Sequence, residues 1–261
     1  MKVILSPAKS MNEDVELNGV QPSQPIFTEE TERLASKLQK LSARQIKKLM
    51  GVSDAIAELN YERYQQWDDN KSNYKPAGYL FAGAAYQSLD FASLSKKEKE
   101  IAQDKLRILS GLYGILKPLD KIQPYRLEMG TRFKVTPKVT NLYKFWADKL
   151  RKQLDDELAN DPSPILVNAA SSEYFKAAQL DKLKNGKVIT TVFKDEAKDG
   201  TYKVNMQFAK LARGAMTRYL IQQDAQTEDD IKAFDSLNYR FSHEQSSDSE
   251  YVYLREMNQR P

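Results

Sequence analysis

The stretch PILVNAASSEYFKAA, residues 164–178, decides the fold class. It begins with an apolar run suited to a buried strand and continues through small polar residues into a helix. KVITTVF at 187–193 is a second strand, rich in β-branched residues, and TYKVNMQF at 201–208 alternates like a third. We expect residues 237–241 and 251–255 to pair as a terminal hairpin. The later part of the chain therefore predicts a sheet.

Helical periodicity dominates the chain before residue 160, after a short first strand in MKVIL. Ser95 and Glu98 form a capping box that opens a helix through about Leu109. Asn141 caps one amphipathic helix that runs to residue 160. The other predicted helices cover 29–41, 43–50, 54–67 and 209–222. This mixture predicts an α+β (mixed α/β) fold, in which residues 1–261 form a single domain with a mixed sheet flanked by helices.

The chain has no cysteine and one histidine, which excludes several classes of chemistry. It cannot form disulfides, a thiolate nucleophile, an iron–sulfur cluster or a histidine-rich metal centre. His243 lies in a polar acidic stretch and is expected to be a solvated loop residue. We expect no metal site and no cofactor. No apolar run approaches the roughly 18 residues of a membrane span, so we expect no membrane association and a cytoplasmic location.

The net charge of +4 is mild, but the charge is unevenly distributed. Residues 224–250 hold eight acidic and two basic residues, so the rest of the chain carries a larger positive excess than the total suggests. Such a chain can present a basic face or cleft to an anionic partner. The alternative is that these charges are spread evenly over the surface.

The first candidate site is LSPAKS at 5–10, which follows the first strand and precedes a loose, loop-like segment at 11–28. Ser6 is biased towards an extended conformation by the proline that follows it. Lys9 projects from the loop after a strand, where open sheets commonly place ligand groups. It could hold a phosphate, or it could be an ordinary solvated lysine.

The second candidate is ARQIKKLMGVSDAIAELN at 43–60, where a glycine hairpin separates two amphipathic segments. Gly51 tolerates the positive φ of such a hairpin, and Ser53 can cap the second helix. The exposed N–H groups there could receive a phosphate, with Lys47 and Lys48 one turn earlier. We interpret residues 43–67 as helix-hairpin-helix-like, with an ordinary helical corner as the alternative.

The third candidate is IQPYRLEMGTRF at 122–133, a shaped segment rich in backbone breakers. Arg126 and Glu128 are two residues apart, so an extended backbone would point both to the same side. Arg126 offers a planar fork for a phosphate or carboxylate. Glu128 could orient that arginine or act as an acid or base. The alternative is a structural ion pair.

The fourth candidate is the turn after the strand at 164–170. It gathers small polar residues that could bind a ligand, although simple capping of the next helix explains part of the pattern. Glu173 is, with Glu128, a candidate acid or base. The pocket residues predicted around this turn and the neighbouring loops are Ser6, Tyr125, Asn168, Ser171, Ser172 and Tyr174.

The fifth candidate is the predicted helix at 209–222. Helical periodicity places Lys210, Arg213 and Thr217 opposite its apolar side, with Arg218 beside them. This is an ordinary solvated face, or a basic flank that adds affinity for phosphates. Lys194, after the strand at 187–193, could join it.

Two functions are compatible with these residues. The first is binding of double-stranded or branched DNA through the hairpin and a basic cleft, with little sequence preference. The second is an enzyme acting on a nucleotide or nucleic acid, so a nucleotide-like small molecule is a second expected partner. Whether the chain catalyses a reaction stays open at this point.

The candidate stretches occur together and in order, and they resemble the YaaA family of peroxide-stress proteins. The resemblance spans essentially the whole chain through SPAK, LMGVSD, LSGLYGILKPLDKIQPYRLEMG, LYKFW, NAASSEYF and KLARGAMTR. It implies a cytoplasmic protein that protects DNA from peroxide damage and lowers free intracellular iron. It also implies a fold with a helix-hairpin-helix at 45–57 and a positively charged cleft.

One departure from the family pattern concerns residues 82–86. Family members often have a Lys and an Asp where this chain has Ala82 and Ala84, while Gly83 and Tyr86 remain. If that carboxylate performs chemistry in relatives, this chain lacks it.

Overall fold

The computed structural model describes residues 1–15, 17, 21–67 and 74–260. The loop predicted over 11–28 therefore lies partly outside the described residues. Within them, helices α1 to α11 cover Thr28–Leu38, Ala43–Met50, Asp54–Gln65, Ala77–Leu80, Ala84–Leu89, Lys96–Lys105, Leu142–Trp146, Lys149–Ala159, Ser172–Ala177, Met206–Gln222 and Glu228–Lys232. Strands β1 to β12 cover Lys2–Leu5, Ser10–Met11, Lys75–Pro76, Phe81–Ala82, Leu106–Ser110, Gly114–Leu116, Lys121–Ile122, Ile165–Asn168, Lys187–Glu196, Tyr202–Lys203, Arg240–Phe241 and Glu250–Arg255.

The main sheet of the described residues has the order β11-β12-β9-β8-β1-β5-β6, with β10 paired to β9. The strands from β12 to β5 are parallel, and β6, β10 and β11 are antiparallel additions. The predicted mixed sheet flanked by helices is thus confirmed. A core of buried hydrophobic side chains runs from Met1 to Tyr253, and β1 and β5 are buried throughout.

The order of strands in the sheet changes direction between the neighbouring strands β1 and β8. From β1 the chain goes on to β5 on one side, and from β8 it goes on to β9 on the other side. In open parallel sheets, ligand crevices form at such a switch point, beyond the carboxyl ends of the two strands. The loops that begin at Ser6 and Ala169 meet there.

The capping box of Ser95 and Glu98 is confirmed, but the length of its helix is wrong. The helix ends at Lys105, and residues 106–110 form β5, which pairs with β1 in the middle of the sheet. A short, continuous apolar run fits a buried strand and a buried helix equally well by periodicity. The long-range pairing with β1 decides between them.

The single helix predicted over 141–160 is also wrong. Asn141 caps as predicted, but the helix breaks at Ala147, where φ is 42°. Two tertiary hydrogen bonds hold the break: Trp146 donates its indole N–H to the carbonyl of Gly111, and Gln179 donates to the carbonyl of Ala147. Both partners lie outside the segment 141–160, so its helical periodicity does not reveal them.

The alternating segment 201–208 is a strand only over Tyr202–Lys203, because Asn205 caps α10 and makes the following residues helical. The predicted solvated face of this helix is wrong at Thr217, which is fully buried and donates a hydrogen bond to the carbonyl of Arg213. The reason is that α10 packs closely on α5: a Cβ added at Gly214 would lie 1.8 Å from the Ala85 carbonyl oxygen.

The terminal hairpin is confirmed, since Arg240 and Phe241 pair antiparallel with Leu254 and Tyr253. The second strand, β12, also pairs in parallel with β9, a contact that the hairpin pattern does not reveal. His243 is exposed, as expected. No helix within the described residues has both the length and the hydropathy of a membrane span.

Candidate functional site

A cavity of about 400 Å³ lies at the carboxyl ends of β1 and β8, at the switch point of the sheet. Four further segments close it: the β4–α5 junction at 82–86, the stretch 125–128, the start of α9 and one side of α10. We call it the central cavity. Its predicted site residues are Ser6, Lys9, Tyr125, Arg126, Glu128, Ser171, Glu173, Tyr174, Lys210 and Arg213.

The two central loops are hydrogen-bonded to each other at the base of the cavity. The backbone N–H of Ser171 donates to Oγ of Ser6 at 2.9 Å, and the Ser6 hydroxyl lies 3.3 Å from Oγ of Ser171. Tyr86 donates its hydroxyl to the Ser6 carbonyl oxygen at 2.8 Å. These bonds fix the spacing of the strand ends and link both to α5.

Glu128 forms a bridge between two cations in the cavity wall. Its Oε2 lies 2.8 Å from Nζ of Lys9, and its Oε1 lies 3.0 Å from Nη2 of Arg126. The prediction that Arg126 and Glu128 share a side is therefore confirmed. The Lys9 side chain is 62% exposed, whereas that of Arg126 is 16% exposed, so the bridge runs from solvent into the protein.

Two arginines contribute buried donors without hydrogen-bond partners. Nε of Arg126 and Nε of Arg213 are both buried and have no hydrogen-bond partner among the described residues. Burial lowers the pKa of the Arg213 guanidinium, because desolvation disfavours its charged form. Unpaired buried donors are costly. Both arginine side chains line the central cavity, so it is bordered by two cationic groups.

Three buried tyrosines form an aromatic part of the cavity lining: Tyr86, Tyr125 and Tyr174. Burial raises the pKa of all three hydroxyls well above the ordinary value, so they are neutral donors at physiological pH. The hydroxyl of Tyr125 is hydrogen-bonded to Ser110 at the end of β5. The three side chains are only 3–6% exposed and form a packed part of the cavity wall.

A second, open groove of about 880 Å³ adjoins the cavity, and we call it the hairpin groove. One wall is α2 with Gly51, and the other is the segment 128–134. Glu128 and Glu173 line both the groove and the cavity. Glu173 is anchored there, since its Oε1 accepts the backbone N–H of Gly130 at 2.6 Å.

The α2–α3 hairpin has the predicted local geometry. Gly51 adopts φ 63° and ends α2, and the Ser53 hydroxyl accepts the backbone N–H of Ile56 to cap α3. The two lysines differ, however. Lys47 is held by Asp54, with Nζ 2.7 Å from its Oδ2, whereas Lys48 is exposed and lines the hairpin groove.

Apart from the hairpin residues, four predicted site residues do not line the central cavity. Asn168 and Ser172 line a separate recess, which Arg213 also borders, and Asn168 donates to the hydroxyl of Thr190. Lys194 donates to the side-chain oxygen of Gln245. Arg218 donates to the carbonyl oxygens of Leu89 and Asp90 and so caps the end of α5.

Several lining residues were not among the predicted ones. Arg132 and Lys134 of the groove are exposed and alternate with buried Phe133 and Val135, an extended pattern that the sequence does contain. Residues 82–85 and Met206 also line the cavity, and their small or apolar side chains carry no chemical signal of their own. Among the described residues, no group of three or more potential metal-ligating side chains is present.

Fold and site together define a mixed α/β protein with a ligand-sized cavity at a topological switch point and an adjoining open groove. The family model described as "Peroxide stress protein YaaA" matches residues 1–245, and the chain belongs to this family. Similar relatives are UPF0246 proteins of Idiomarina loihiensis (44% identical over 257 residues, 98% of each chain) and Shewanella baltica strain OS185 (46% over 259 residues, 98% of this chain and 99% of the relative). A UPF0246 protein of Aliivibrio fischeri is 43% identical over 258 residues, covering 98% of each chain. A role in peroxide stress follows from the family.

Proposed function

We propose that the protein binds DNA in the hairpin groove and protects it during peroxide stress. The observation that carries the proposal is the placement of three exposed cations, Lys48, Arg132 and Lys134, along the two walls of one groove. No ion pair holds any of them among the described residues. Cations in such an arrangement neutralise phosphates and release counterions without reading sequence.

The α2–α3 hairpin supports this proposal at one wall of the groove. Gly51 brings the backbone of the turn to the surface without a side chain, and α3 begins directly after it. A phosphate could approach this turn from the side of Lys48. Asp54, the first residue of α3, forms an ion pair with Lys47. We therefore assign the phosphate contact to Lys48.

The proposal is tested by fluorescence anisotropy with a labelled duplex and a four-way junction over a range of salt concentrations. We expect affinity to fall steeply with salt. Lys48→Glu and Lys134→Glu should each weaken binding about tenfold and reduce the salt slope by about one. The matched control is Lys96→Glu, an exposed lysine of α6 outside the groove. Equal affinities for all three variants and the wild type would exclude the groove.

Protection is proposed to be indirect, by shielding DNA rather than by consuming peroxide. Because the chain has no cysteine, it cannot reduce peroxide through a thiol. The purified protein should reduce strand breakage of plasmid DNA by ferrous iron and peroxide, with Lys48→Glu less effective. Peroxide consumption by the protein alone would contradict this. The effect on free iron belongs to the same proposal and is measured in cells with and without the protein.

A second candidate function is an enzyme acting on a nucleotide or nucleic acid in the central cavity. The observation that favours it is the Lys9–Glu128–Arg126 bridge, which places a carboxylate beside cations that could hold a phosphate. Glu128 or Glu173 would act as acid or base. Loss of a turnover in Arg126→Ala, with duplex affinity retained, would separate this function from DNA binding.

A further inference from the structure

We infer that the central cavity takes up one unpaired nucleotide of the DNA that lies in the hairpin groove. This inference rests on the proposed DNA binding and adds the part of the substrate that the cavity recognises. It joins two features that the groove alone leaves unexplained: a tyrosine-lined cavity beside the groove, and buried arginine Nε atoms that have no hydrogen-bond partner among the described residues.

The first argument is continuity. Glu128 and Glu173 line both spaces, so a strand in the groove passes directly beside the cavity. Both carboxylates are fixed, Glu128 by Lys9 and Arg126 and Glu173 by the N–H of Gly130. The two anchored carboxylates therefore mark the place where the groove and the cavity meet.

The second argument is size and lining. A volume of about 400 Å³ is far too small for a duplex, and it lies within the range of about 300–1,000 Å³ typical of single-ligand pockets. The wall contains the aromatic rings of Tyr86, Tyr125 and Tyr174. Bases that leave a duplex are commonly held against aromatic or apolar side chains in a closed pocket.

The third argument is the position of the charges. The carboxylates at the junction repel a phosphate, whereas a base edge brings N–H donors that a carboxylate accepts. Arg213 borders the cavity with an unpaired Nε, and an arginine fork suits the acceptor edge of a base. Lys9 and Lys210 are exposed at the rim, where the flanking phosphates would remain.

The energetics predict which DNA is preferred. Extruding a paired base costs unstacking and unpairing, and this cost is smallest for a base that is already unpaired. Stacking on an aromatic side chain recovers part of it. We expect a duplex with a single unpaired thymine to bind about tenfold more tightly than the matched duplex.

The experiment measures the affinity of the full chain for both duplexes and the reactivity of the unpaired thymine towards permanganate. The cavity is blocked with Ala84→Phe, or with Ala84→Leu if the larger side chain lowers the melting temperature. Ala92→Phe is the matched control, because Ala92 is exposed and does not line the cavity. We expect the wild type and Ala92→Phe to prefer the unpaired duplex and to protect its thymine. The blocked variants should lose both effects and keep their affinity for matched duplex.

The other outcomes are distinguishable. Equal binding of both duplexes by the wild type, with a reactive thymine, would overturn this inference and leave DNA binding in the groove intact. A preference and protection that survive the blocked cavity would also overturn it, since the thymine would then be held elsewhere. If neither duplex binds, the proposed function fails, and the inference fails with it.

Discussion

Ser171 donates its backbone N–H to Oγ of Ser6 at 2.9 Å, and this bond joins the loops that follow β1 and β8. It lies at the point where the sheet reverses direction, so it sets the width of the central cavity. Because the acceptor is one side chain and the donor is backbone, the two serines are not equivalent.

Ser6→Ala should therefore destabilise the protein more than Ser171→Ala. Removal of the Ser6 hydroxyl leaves a partly buried N–H without its acceptor, which costs about 1–3 kcal/mol. Ser171→Ala keeps that bond and loses only the longer 3.3 Å contact, so we expect about 0.5 kcal/mol. Urea unfolding of both variants measures the difference. Equal losses of stability would show that the hydroxyl–hydroxyl contact is the important one.

Glu128→Gln should strengthen DNA binding. The carboxylate forms ion pairs with Lys9 and Arg126. Replacing it with a neutral amide removes both ion pairs, so the two cations can bind phosphates instead. We expect about a threefold to tenfold gain in affinity at low salt, fading as salt screens the charges. Glu100→Gln, an exposed glutamate on α6, controls for the change in net charge. A weaker complex would mean that Glu128 orients the cations for the ligand.

Gly214→Ala should destabilise the protein, although alanine normally favours a helix interior over glycine. The added Cβ would lie 1.8 Å from the carbonyl oxygen of Ala85, so α10 and α5 must move apart. Overpacking of this kind costs about 1–3 kcal/mol or more. Because Ala85 lines the central cavity, preference for unpaired DNA should fall as well.

Gly51→Ala is the informative comparison for Gly214→Ala. At Gly51 an added Cβ meets nothing within 4 Å, and the cost arises only from φ 63°. We expect about 1–2 kcal/mol of destabilisation, with the central cavity unaffected. Denaturant midpoints for both variants, read with DNA affinities, separate the steric effect from the backbone effect. A neutral Gly214→Ala would contradict the close packing of α10 on α5.

The acidic segment 224–250 should make stability depend on pH through Glu228. Lys187 and Tyr251 donate hydrogen bonds to this carboxylate and hold its pKa below the ordinary value of 4.5. A lowered folded-state pKa stabilises the protein above pH 4.5, and this stability is lost as the pH falls from 4.5 through the lower folded value.

Glu228→Gln should therefore have a lower melting temperature than the wild type at pH 7, corresponding to a loss of about 0.5–1 kcal/mol in the free energy of unfolding. At pH 3 the melting temperatures of the two proteins should be closer. Glu244→Gln, an exposed residue of the same segment, is the control. Thermal melts of the three proteins across this pH range test the prediction. Parallel curves for Glu228→Gln and the wild type would exclude the ion pair as a source of pH dependence.

Part of the site was predictable because neighbouring residues determine it. An extended backbone places Arg126 and Glu128 on the same side whatever surrounds them, and the ion pair between them follows. The turn chemistry of Gly51 and Ser53 is local in the same way. Lys47 and Lys48, however, look alike in the sequence, and only the fold assigns Lys47 to Asp54.

Two errors of the sequence prediction share one physical cause. Residues 106–110 form a strand because β1 offers a parallel partner, and the helix over 141–160 breaks because Gly111 and Gln179 offer hydrogen bonds. In both places a long-range contact outweighs local periodicity. Arg218, similarly, caps α5 through carbonyl groups that lie far away in the sequence.

The sequence by itself determined the available chemistry: no thiols, one histidine, a mixture of strands and helices, an Arg–Glu pair two residues apart, and a separate glycine turn. These are properties of composition and of near neighbours. Only the tertiary structure decided the strand order, and with it the switch point that brings Ser6, Glu128 and Arg213 to one cavity. The physical reason is that strand order and packing depend on contacts between residues far apart in the chain, which no local pattern encodes.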